Sequence, residues 1–341
     1  MSPTKQDPPS LKAIAKACRL SSSTVSRALN MSEEDCPLKP GTRARVRRVA
    51  KKMGYQVNAH ARALSSGRSN TAGLVFSGAL PYFDGVYQSL IAAFTDTLAQ
   101  HDYQLALMPL APGTDLQRSL SGWMVDGCVS LQSLDPRAAD VLEDAGLPCI
   151  LLNGRSAKAS GSVSPDDRDG ARQATEYLLE QGHRRIAMVA DLQLEDPHYS
   201  LYERRMGFES TMQAAGLADQ AVWISATYEE AADKLLAVTP EVTAVMCYSQ
   251  HEAAPLLGRL QNAGRRVPED ISLLTFNDVF PIGELWPAVT AVSVPSLEMG
   301  ARGAEMLLKQ IRHGRPDTSE AMVVGETLVK RQSTGPAPKP V

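Results

Sequence analysis

The sequence predicts a head of three small helices that begins with a helix-turn-helix, followed by an α/β core of two doubly wound parallel-sheet halves. Three observations predict this architecture. Amphipathic helical segments with an excess of basic residues occupy the first 66 residues. Beyond residue 71, short apolar runs alternate with helical segments, and this alternation proceeds twice. A chain of 341 residues with 43% hydrophobic content can bury more than one core.

The segment LSSSTVSRALN has the pattern of a helix with one apolar and one polar face. Ser21 is a suitable N-cap, because its hydroxyl can accept a hydrogen bond from a backbone N–H of the first turn. Val25, Ala28 and Leu29 follow helical spacing and predict the inward face. The opposite face, which is free to meet a partner, carries Ser22, Ser23, Ser26 and Arg27.

Another helical segment precedes this one. Ser10 is its predicted N-cap, and apolar residues from Leu11 to Cys18 repeat at helical spacing. Only a few residues separate the two helices, which is typical of a helix-turn-helix; an ordinary helical hairpin is the alternative. A third helix, rich in Lys and Arg, is predicted to begin at Pro40 and to end at Gly54.

The charge of the chain is unevenly distributed. Residues 1–66 contain 13 Lys or Arg and four Asp or Glu, whereas the whole chain has a net charge of −3. The head is therefore strongly basic and the remainder is acidic. This distribution favours nucleic-acid binding through the head, because phosphate contacts supply much of the affinity for DNA. A solvated basic face is the alternative and explains the asymmetry less well.

Several motifs occur in the order in which a known family has them. They are STVSRALN, KKMGYQVN, AHARALSSGRS, SVSPDDRDGARQATEYLLEQGHRRIAMV, RRMGFESTM, RRVPEDISLLTFND and VTAVSVPSLEMGARGAEMLL. On these motifs the chain resembles transcription regulators of the LacI/GalR family. The resemblance implies a periplasmic-binding-protein-like core and a homodimer. It also implies a near-palindromic double-stranded DNA operator and a small-molecule effector bound between the two halves of the core.

Residues 58–67 are predicted to form a short hinge helix, with a flexible linker as the alternative. Asn58 is a suitable N-cap and Gly67 a suitable stop, but a helix of about two turns is marginal in isolation. The resemblance implies that paired hinge helices enter the minor groove, where Leu64 wedges between base steps. Arg27 is predicted to read guanine in the major groove. The predicted DNA contacts are Ser10, Leu11, Ser21, Ser22, Ser23, Thr24, Ser26, Arg27, Asn30, Tyr55, Asn58, Ala61 and Leu64.

The chain is predicted to divide into five parts. They are a helix-turn-helix domain at 8–57, a hinge helix and linker at 58–70, an N-terminal half of the core at 71–165 and 293–322, a C-terminal half at 166–292 and 323–333, and a flexible tail at 334–341. The resemblance implies three passages between the halves, near Pro165, near Val292 and near the C-terminal end. Ligands of doubly wound folds bind at the carboxyl ends of the strands, so the effector is expected in the crevice between the halves.

The predicted crevice keeps one family residue and changes others. Arg204 aligns with the family arginine that hydrogen-bonds the effector, whereas Asn153 and Asn277 stand where a carboxylate is frequent. Loss of carboxylates beside a retained arginine makes a pocket less negative, which leads to the hypothesis of an anionic effector such as a sugar acid or sugar phosphate. Drift within a pocket that uses other donors is the alternative. The predicted effector contacts are Tyr82, Phe83, Asn153, Pro165, Arg204, Phe208, Ser249, Asn277 and Trp286, although the apolar ones could belong to the core.

Other function classes are disfavoured. The sequence has no phosphate-binding loop, zinc-spaced histidine pair or Gly-x-Ser-x-Gly motif, so we expect no catalytic residue, cofactor or metal, and we assign His183 a structural role. Five scattered cysteines, no signal peptide and no membrane-length apolar run predict a cytoplasmic protein. A small-molecule binder of periplasmic type without DNA regulation is the runner-up. Arg19 stands where the family's turn usually has Gly, so a left-handed backbone there would be mildly strained.

Overall fold

A computed structural model shows how these segments fold. It describes residues 10–30, 36–55, 68–77, 85–110, 125–190, 198–227, 229–238, 241–316 and 318–339. The predicted hinge contacts Asn58, Ala61 and Leu64 and the predicted crevice residues Tyr82 and Phe83 lie outside these ranges. Two compact units are present, and each is described by itself. One unit contains the head, the residues up to Thr71 and Asp126, and the other contains the rest of the core.

The head contains the helices α1 (Leu11–Cys18), α2 (Ser22–Asn30) and α3 (Pro40–Lys52). The predicted caps are confirmed. Ser10 Oγ accepts a hydrogen bond from Ala13 N at 3.3 Å, and Ser21 Oγ accepts one from Thr24 N at 3.1 Å. Between α1 and α2, Arg19 adopts the left-handed conformation, with φ 49° and ψ 46°. The tight turn of the helix-turn-helix is therefore made by a residue that lacks the conformational freedom of glycine.

The three helices of the head enclose one small apolar core. Its buried members are Ile14, Ala15, Cys18, Val25, Ala28, Val46 and Ala50. Val25 and Ala28 confirm the predicted inward face of α2, and Leu29 packs against the same core while partly buried. Arg45 Nη2 donates a hydrogen bond to the carbonyl of Cys18 at 3.1 Å. This basic residue of α3 therefore satisfies a carbonyl at the C-terminal end of α1.

The described residues of the first half of the core form a six-stranded sheet with three helices. Its strands are β1 (Thr71–Ser77), β2 (Gln104–Leu110), β3 (Gly127–Leu131), β4 (Cys149–Leu152), β5 (Gly161–Pro165) and β11 (Glu320–Val324). Its helices are α4 (Gly85–Gln100), α5 (Pro136–Asp144) and α10 (Ser296–His313). The strand order is β11-β5-β4-β3-β1-β2. Strands β3 and β4 are buried throughout, which explains why both are short segments without a polar side chain other than that of Ser130.

The second half is also a six-stranded sheet. Its strands are β6 (Ile186–Ala190), β7 (Ala221–Ser225), β8 (Ala244–Cys247), β9 (Ser272–Phe276), β10 (Thr290–Ser293) and β12 (Thr327–Val329). Its helices are α6 (Asp167–Glu180), α7 (Tyr199–Ala214), α8 (Ala231–Leu236) and α9 (Gln250–Asn262). The strand order is β12-β10-β9-β8-β6-β7, with β12 antiparallel to β10. No helix among the described residues is both long and apolar enough to cross a membrane.

The chain passes between the two sheets three times, after Pro165, after Ser293 and after Val324. The third passage comes two residues later than the boundary predicted after residue 322. Strand β11 stays paired with β5 as far as Val324, which lies opposite Pro165. Gly325 and Glu326 therefore form the last link between the halves.

The C-terminal segment, as far as Ala337, corrects the prediction of a flexible tail at residues 334–341. Thr334 Oγ1 is hydrogen-bonded to Tyr177 Oη at 2.9 Å and to Thr290 Oγ1 at 2.8 Å, and Ala337 N donates to the carbonyl of Gln181 at 2.9 Å. His183 is fully buried, and its Nε2 lies 3.0 Å from the carbonyl of Gly335. Side-chain and backbone partners far away in the sequence order this segment. Its composition does not reveal these partners, and composition alone therefore predicted a flexible tail.

Candidate functional site

The outer face of α2 carries the polar residues that the sequence predicted there. Ser22, Ser23 and Arg27 are exposed, and Ser26 is half-buried. The Ser21 hydroxyl lies 2.8 Å from both the Ser23 and the Thr24 hydroxyls, and Asn30 Nδ2 donates to Ser26 Oγ at 3.1 Å. Several of these hydroxyls are thus already engaged with one another. Arg27 has the longest reach on this face and can donate two hydrogen bonds to a planar acceptor pair.

The remaining predicted DNA contacts of the described head lie at its edges. Ser10 is exposed at the start of α1. Leu11 and Tyr55 are partly buried and pack against the head core. Their apolar parts stabilise the head, and only their outer edges can touch a partner.

Three residues with left-handed backbone follow strands at one edge of the core. Gln132 follows β3 with φ 60°, Asn153 follows β4 with φ 52°, and Asn277 follows β9 with φ 65°. Such a conformation is uncommon for residues other than glycine, although asparagine adopts it more readily than most, and it concentrates at functional sites of proteins. Since these are the carboxyl ends of parallel strands from both sheets, the strain marks the crevice where a ligand of this fold class binds.

Arg204 on α7 is the central cation of this crevice and is only 3% exposed. Its Nε donates to Asp167 Oδ1 at 2.7 Å, its Nη1 to the carbonyl of Tyr248 at 2.6 Å, and its Nη2 to Asn277 Oδ1 at 3.3 Å. The guanidinium also lies over the Phe276 ring, 4.2 Å from its centroid. Each nitrogen of the guanidinium therefore has a protein partner.

Two buried carboxyl groups beside Arg204 were not predicted from the sequence. Asp167 and Glu326 both have fully buried side chains, and Glu326 Oε1 lies 3.9 Å from Arg204 Nη2. Asp167 Oδ2 and both carboxyl oxygens of Glu326 have no hydrogen-bond partner within the described residues. Burial raises the pKa of Glu326 well above its ordinary value, and the negative charge of Asp167 raises it further, against the opposing effect of Arg204.

These carboxyl groups remove the premise of the anionic-effector hypothesis. Asn153 and Asn277 do replace carboxylates, but Asp167 supplies a counter-charge in direct contact with Arg204. Glu326 adds a second carboxyl group whose raised pKa favours its neutral form. Arg204 is therefore neutralised before any effector arrives. The only sequence signal was positional, because Asp167 directly follows the first passage between the halves and Glu326 lies within the third.

Asn277 and the start of α9 form a second polar group in the crevice. Asn277 Nδ2 donates to Gln250 Oε1 at 3.0 Å. The predicted contact Ser249 is instead the N-cap of α9: its hydroxyl donates to Glu252 Oε2 at 2.6 Å and accepts from His251 N at 3.2 Å. The Ser249 side chain is thus occupied by a capping box, which leaves Gln250 as the polar group that contacts Asn277.

A chain of hydrogen bonds crosses from one half of the core to the other. Tyr248 Oη lies 2.7 Å from Ser200 Oγ, which lies 2.6 Å from His198 Nδ1, and His198 Nε2 lies 2.6 Å from the carbonyl of Asn153. The carbonyl requires a proton on Nε2, so Nδ1 accepts from Ser200. Burial lowers the pKa of His198, which favours the neutral ring that this arrangement requires. Asn153 Nδ2 in turn donates to Tyr87 Oη at 2.7 Å.

A salt-bridged group beside α7 also joins the halves. Arg155 of the first half pairs with Glu203 at 2.8 Å, and Arg168 of the second half pairs with the same carboxylate at 3.0 Å. The Arg155 guanidinium lies over the ring of Tyr199, 4.7 Å from its centroid. Since Glu203 pairs with one arginine from each half, these contacts link the two halves beside the crevice.

Comparisons with known proteins agree with this geometry. Residues 175–334 match the family of periplasmic binding protein-like domains. The HTH-type transcriptional regulator CelR of Thermobifida fusca is 31% identical over 345 residues, which cover 95% of this chain and 98% of that protein. This chain belongs to the LacI family of transcription regulators.

Two solved structures of LacI-type regulators have the same fold. The structure of a CelR–cellobiose complex has a TM-score of 0.67 and 27% identity, covering 95% of this chain and 99% of that one. A LacI-family regulator of Enterococcus faecium with bound ribose has a TM-score of 0.67 and 25% identity, covering 78% and 99%. The fold class predicted from the sequence is confirmed. As a LacI-family member, the protein is a DNA-binding transcription regulator with an effector-binding core, and it is not an enzyme.

Two of the apolar residues predicted for the crevice of this LacI-family protein lie elsewhere, and a third lies at a passage between the halves. Phe208 is 1% exposed and belongs to the apolar core between α6, α7 and the second sheet. Trp286 is 86% exposed and lines a separate surface depression with Gln261 and Pro268. Pro165 is buried in β5, at the first passage between the halves. We therefore remove Phe208 and Trp286 from the candidate contacts, because neither joins the polar group around Arg204.

Metal binding has no support in the described part of the chain. No group of three or more potential metal ligands occurs among those residues. The four described cysteines of the core and head interior, Cys18, Cys128, Cys149 and Cys247, are buried, and Cys36 is partly exposed. Burial raises the pKa of Cys149 to about 12, which makes it an inert core residue.

Proposed function

We propose that this LacI-family regulator is a cytoplasmic homodimeric repressor whose operator binding is altered by a neutral saccharide. The saccharide would bind in the crevice, in contact with Arg204, Asn153 and Asn277. The observation that carries this proposal is the ion pair between Arg204 Nε and Asp167 Oδ1 at 2.7 Å. Because of this ion pair, an anionic effector would find no unpaired cation at Arg204.

The other polar groups of the crevice suit hydroxyl groups. Asn153, Asn277, Gln250 and His198 are neutral, and each can both donate and accept hydrogen bonds. A neutral polyol can exchange hydrogen bonds with such groups without the desolvation cost of a buried charge. The cellobiose in the CelR complex and the ribose bound to the E. faecium regulator are neutral sugars of this kind.

The DNA side of the proposal depends on α2. Two copies of this helix, one from each subunit, would enter successive major grooves of a near-palindromic operator, as two-fold symmetry requires. Arg27 would read guanine, and the exposed serines would add shorter contacts, together with Ser21, Thr24 and Asn30. The predicted hinge contacts Asn58, Ala61 and Leu64 remain predictions, because they lie outside the described residues.

Isothermal titration calorimetry, in which candidate sugars and sugar acids are added to the full-length protein, tests the effector class. We expect cellobiose or ribose to bind at least about tenfold more tightly than the corresponding aldonic acid, because the acid meets Asp167 and finds no free cation. A mobility-shift experiment with an operator selected from randomised DNA should then show a changed affinity when the bound sugar is added. Tight binding of an aldonic acid or a sugar phosphate, without binding of its neutral parent, would refute the proposal.

A further inference from the structure

A carboxylate at the start of β3 holds the residues that lead into β1. Asp126 Oδ1 accepts hydrogen bonds from Ser69 N at 2.7 Å and from Ser69 Oγ at 2.9 Å. Asp126 Oδ2 accepts a further hydrogen bond from Asn70 N at 2.9 Å. In return, Asp126 N donates to the carbonyl of Thr71 at 2.9 Å. We call these four residues the entry clamp.

The entry clamp defines the backbone conformation of its segment. Asn70 has φ 54°, a left-handed conformation. The consecutive N–H groups of Ser69 and Asn70 both donate to the carboxylate of Asp126. Thr71 N also donates to Ser69 Oγ at 3.2 Å, so the Ser69 hydroxyl is held between two partners. Hydrogen bonds to a charged acceptor are stronger than those to a neutral one, and a half-buried carboxylate retains much of that advantage. The direction of the chain at Ser69 is therefore well determined.

The position of the entry clamp in the chain suggests its role. Its members lie where both compact units meet along the sequence, since one unit ends at Thr71 and at Asp126 and the other begins at Ala72 and at Gly127. Strand β3, which begins directly after Asp126, pairs with β1 in parallel register from Ala72 opposite Gly127. The chain therefore enters the core at residues that are hydrogen-bonded to Asp126, and Asp126 directly precedes a central strand of the first sheet.

We infer that Asp126 is a positioning residue for operator binding, because it fixes Ser69 and Asn70, through which the chain from the head enters the core. This inference rests on the proposed dimeric, operator-binding function. A dimer binds two half-sites at a fixed spacing, so freedom in the connecting segment lowers the effective concentration of the second head. Random DNA binding depends mainly on the charge of each head and does not need that spacing.

Asp126→Asn in the full-length protein tests the inference. The amide offers one acceptor oxygen and turns an N–H group toward the N–H of Ser69 or Asn70, so the clamp opens with little change in shape. We expect affinity for an operator selected by the wild type to fall about tenfold, with affinity for random DNA within about twofold. Ser69→Ala removes a single hydroxyl partner of the carboxylate and should cause a smaller loss of the same kind, about threefold.

The matched control is Asp135→Asn. Asp135 also accepts hydrogen bonds from two backbone N–H groups, those of Arg137 and Ala138, but it caps α5 within the first half. This control should leave operator affinity unchanged. Equal operator affinity of Asp126→Asn and wild type would overturn the inference, as would a loss shared equally by operator and random DNA. If Asp126→Asn does not fold, Ser69→Ala decides the question, and its unchanged operator affinity would overturn the inference. A wild type that binds operator but ignores saccharides would refute only the proposed effector.

Discussion

The head and the crevice of this regulator are built by contacts of different range. In the head, the capping hydrogen bonds join residues three apart, Ser10 with Ala13 and Ser21 with Thr24. In the crevice, Arg204 contacts residues 37, 44 and 73 positions away, namely Asp167, Tyr248 and Asn277. Local periodicity therefore indicates the geometry of the head. The charge balance of the crevice depends on which distant residues the two sheets bring together.

The largest expected effect concerns the long-range contacts. Asp167→Leu should lower the free energy of unfolding of the core by about 3 kcal/mol, because it leaves Arg204 buried without its contacting counter-charge. Glu326, 3.9 Å away, compensates only in part. Urea unfolding followed by circular dichroism measures the change.

The double variant Asp167→Leu/Arg204→Met is the control for this experiment. A buried ion pair replaced by apolar side chains of similar volume often costs little, so the double variant should recover most of the lost stability. It should still lose saccharide binding, because it lacks the guanidinium. A double variant that is less stable than Asp167→Leu would contradict the assigned pairing.

The second prediction concerns the head. Arg27→Ala should weaken operator binding by about 1 to 3 kcal/mol, the value of one good bidentate contact to a base. Saccharide affinity, measured by calorimetry, should not change, because the helices of the head have their own core. Operator binding equal to that of the wild type would refute the role of Arg27, and a parallel loss of sugar affinity would contradict the independence of the two regions.

The third prediction uses pH to test the crevice. Burial raises the pKa of Glu326, so between about pH 4.5 and that raised pKa the folded state keeps a proton that the unfolded state has released. The contribution of this group to stability therefore falls as pH rises through that range. Glu326→Gln should remove this slope, raising unfolding free energy relative to wild type by about 1 to 2 kcal/mol at pH 8 and much less at pH 5. Parallel pH profiles of the two proteins would show that Glu326 does not carry the raised pKa.

The smallest expected effect again concerns the head. Arg19 has φ 49° in the turn between α1 and α2, and glycine adopts that conformation without a side-chain clash. Arg19→Gly should stabilise the head by about 0.5 kcal/mol, since the relief of strain exceeds the added entropy of the unfolded chain. Amide hydrogen exchange of head residues in the full-length protein measures this change in stability. Faster exchange in the variant would mean that the Arg19 side chain makes a stabilising contact.

Much of the fold and part of the site were predictable from the sequence. The caps Ser10 and Ser21, the inward face of α2 and the alternation of strands and helices follow from short-range patterns, and the structure confirms them. Arg204 and Asn277 were predicted through the resemblance, and the structure brings them into contact. His198 and Glu326 were missed, because nothing local distinguishes them from other polar residues near helices and strands.

The sequence by itself determined the kind of protein this is: a basic helix-turn-helix head on a two-sheet, ligand-binding core. Patterns with a period of three to four residues, and the order of the family motifs, are sufficient for that conclusion. Only the tertiary structure decided the charge of the crevice, because Asp167 and Glu326 reach Arg204 through two separate passages between the sheets. The energy of a buried charge depends on its nearest partners in space, and those partners are set by packing rather than by sequence spacing.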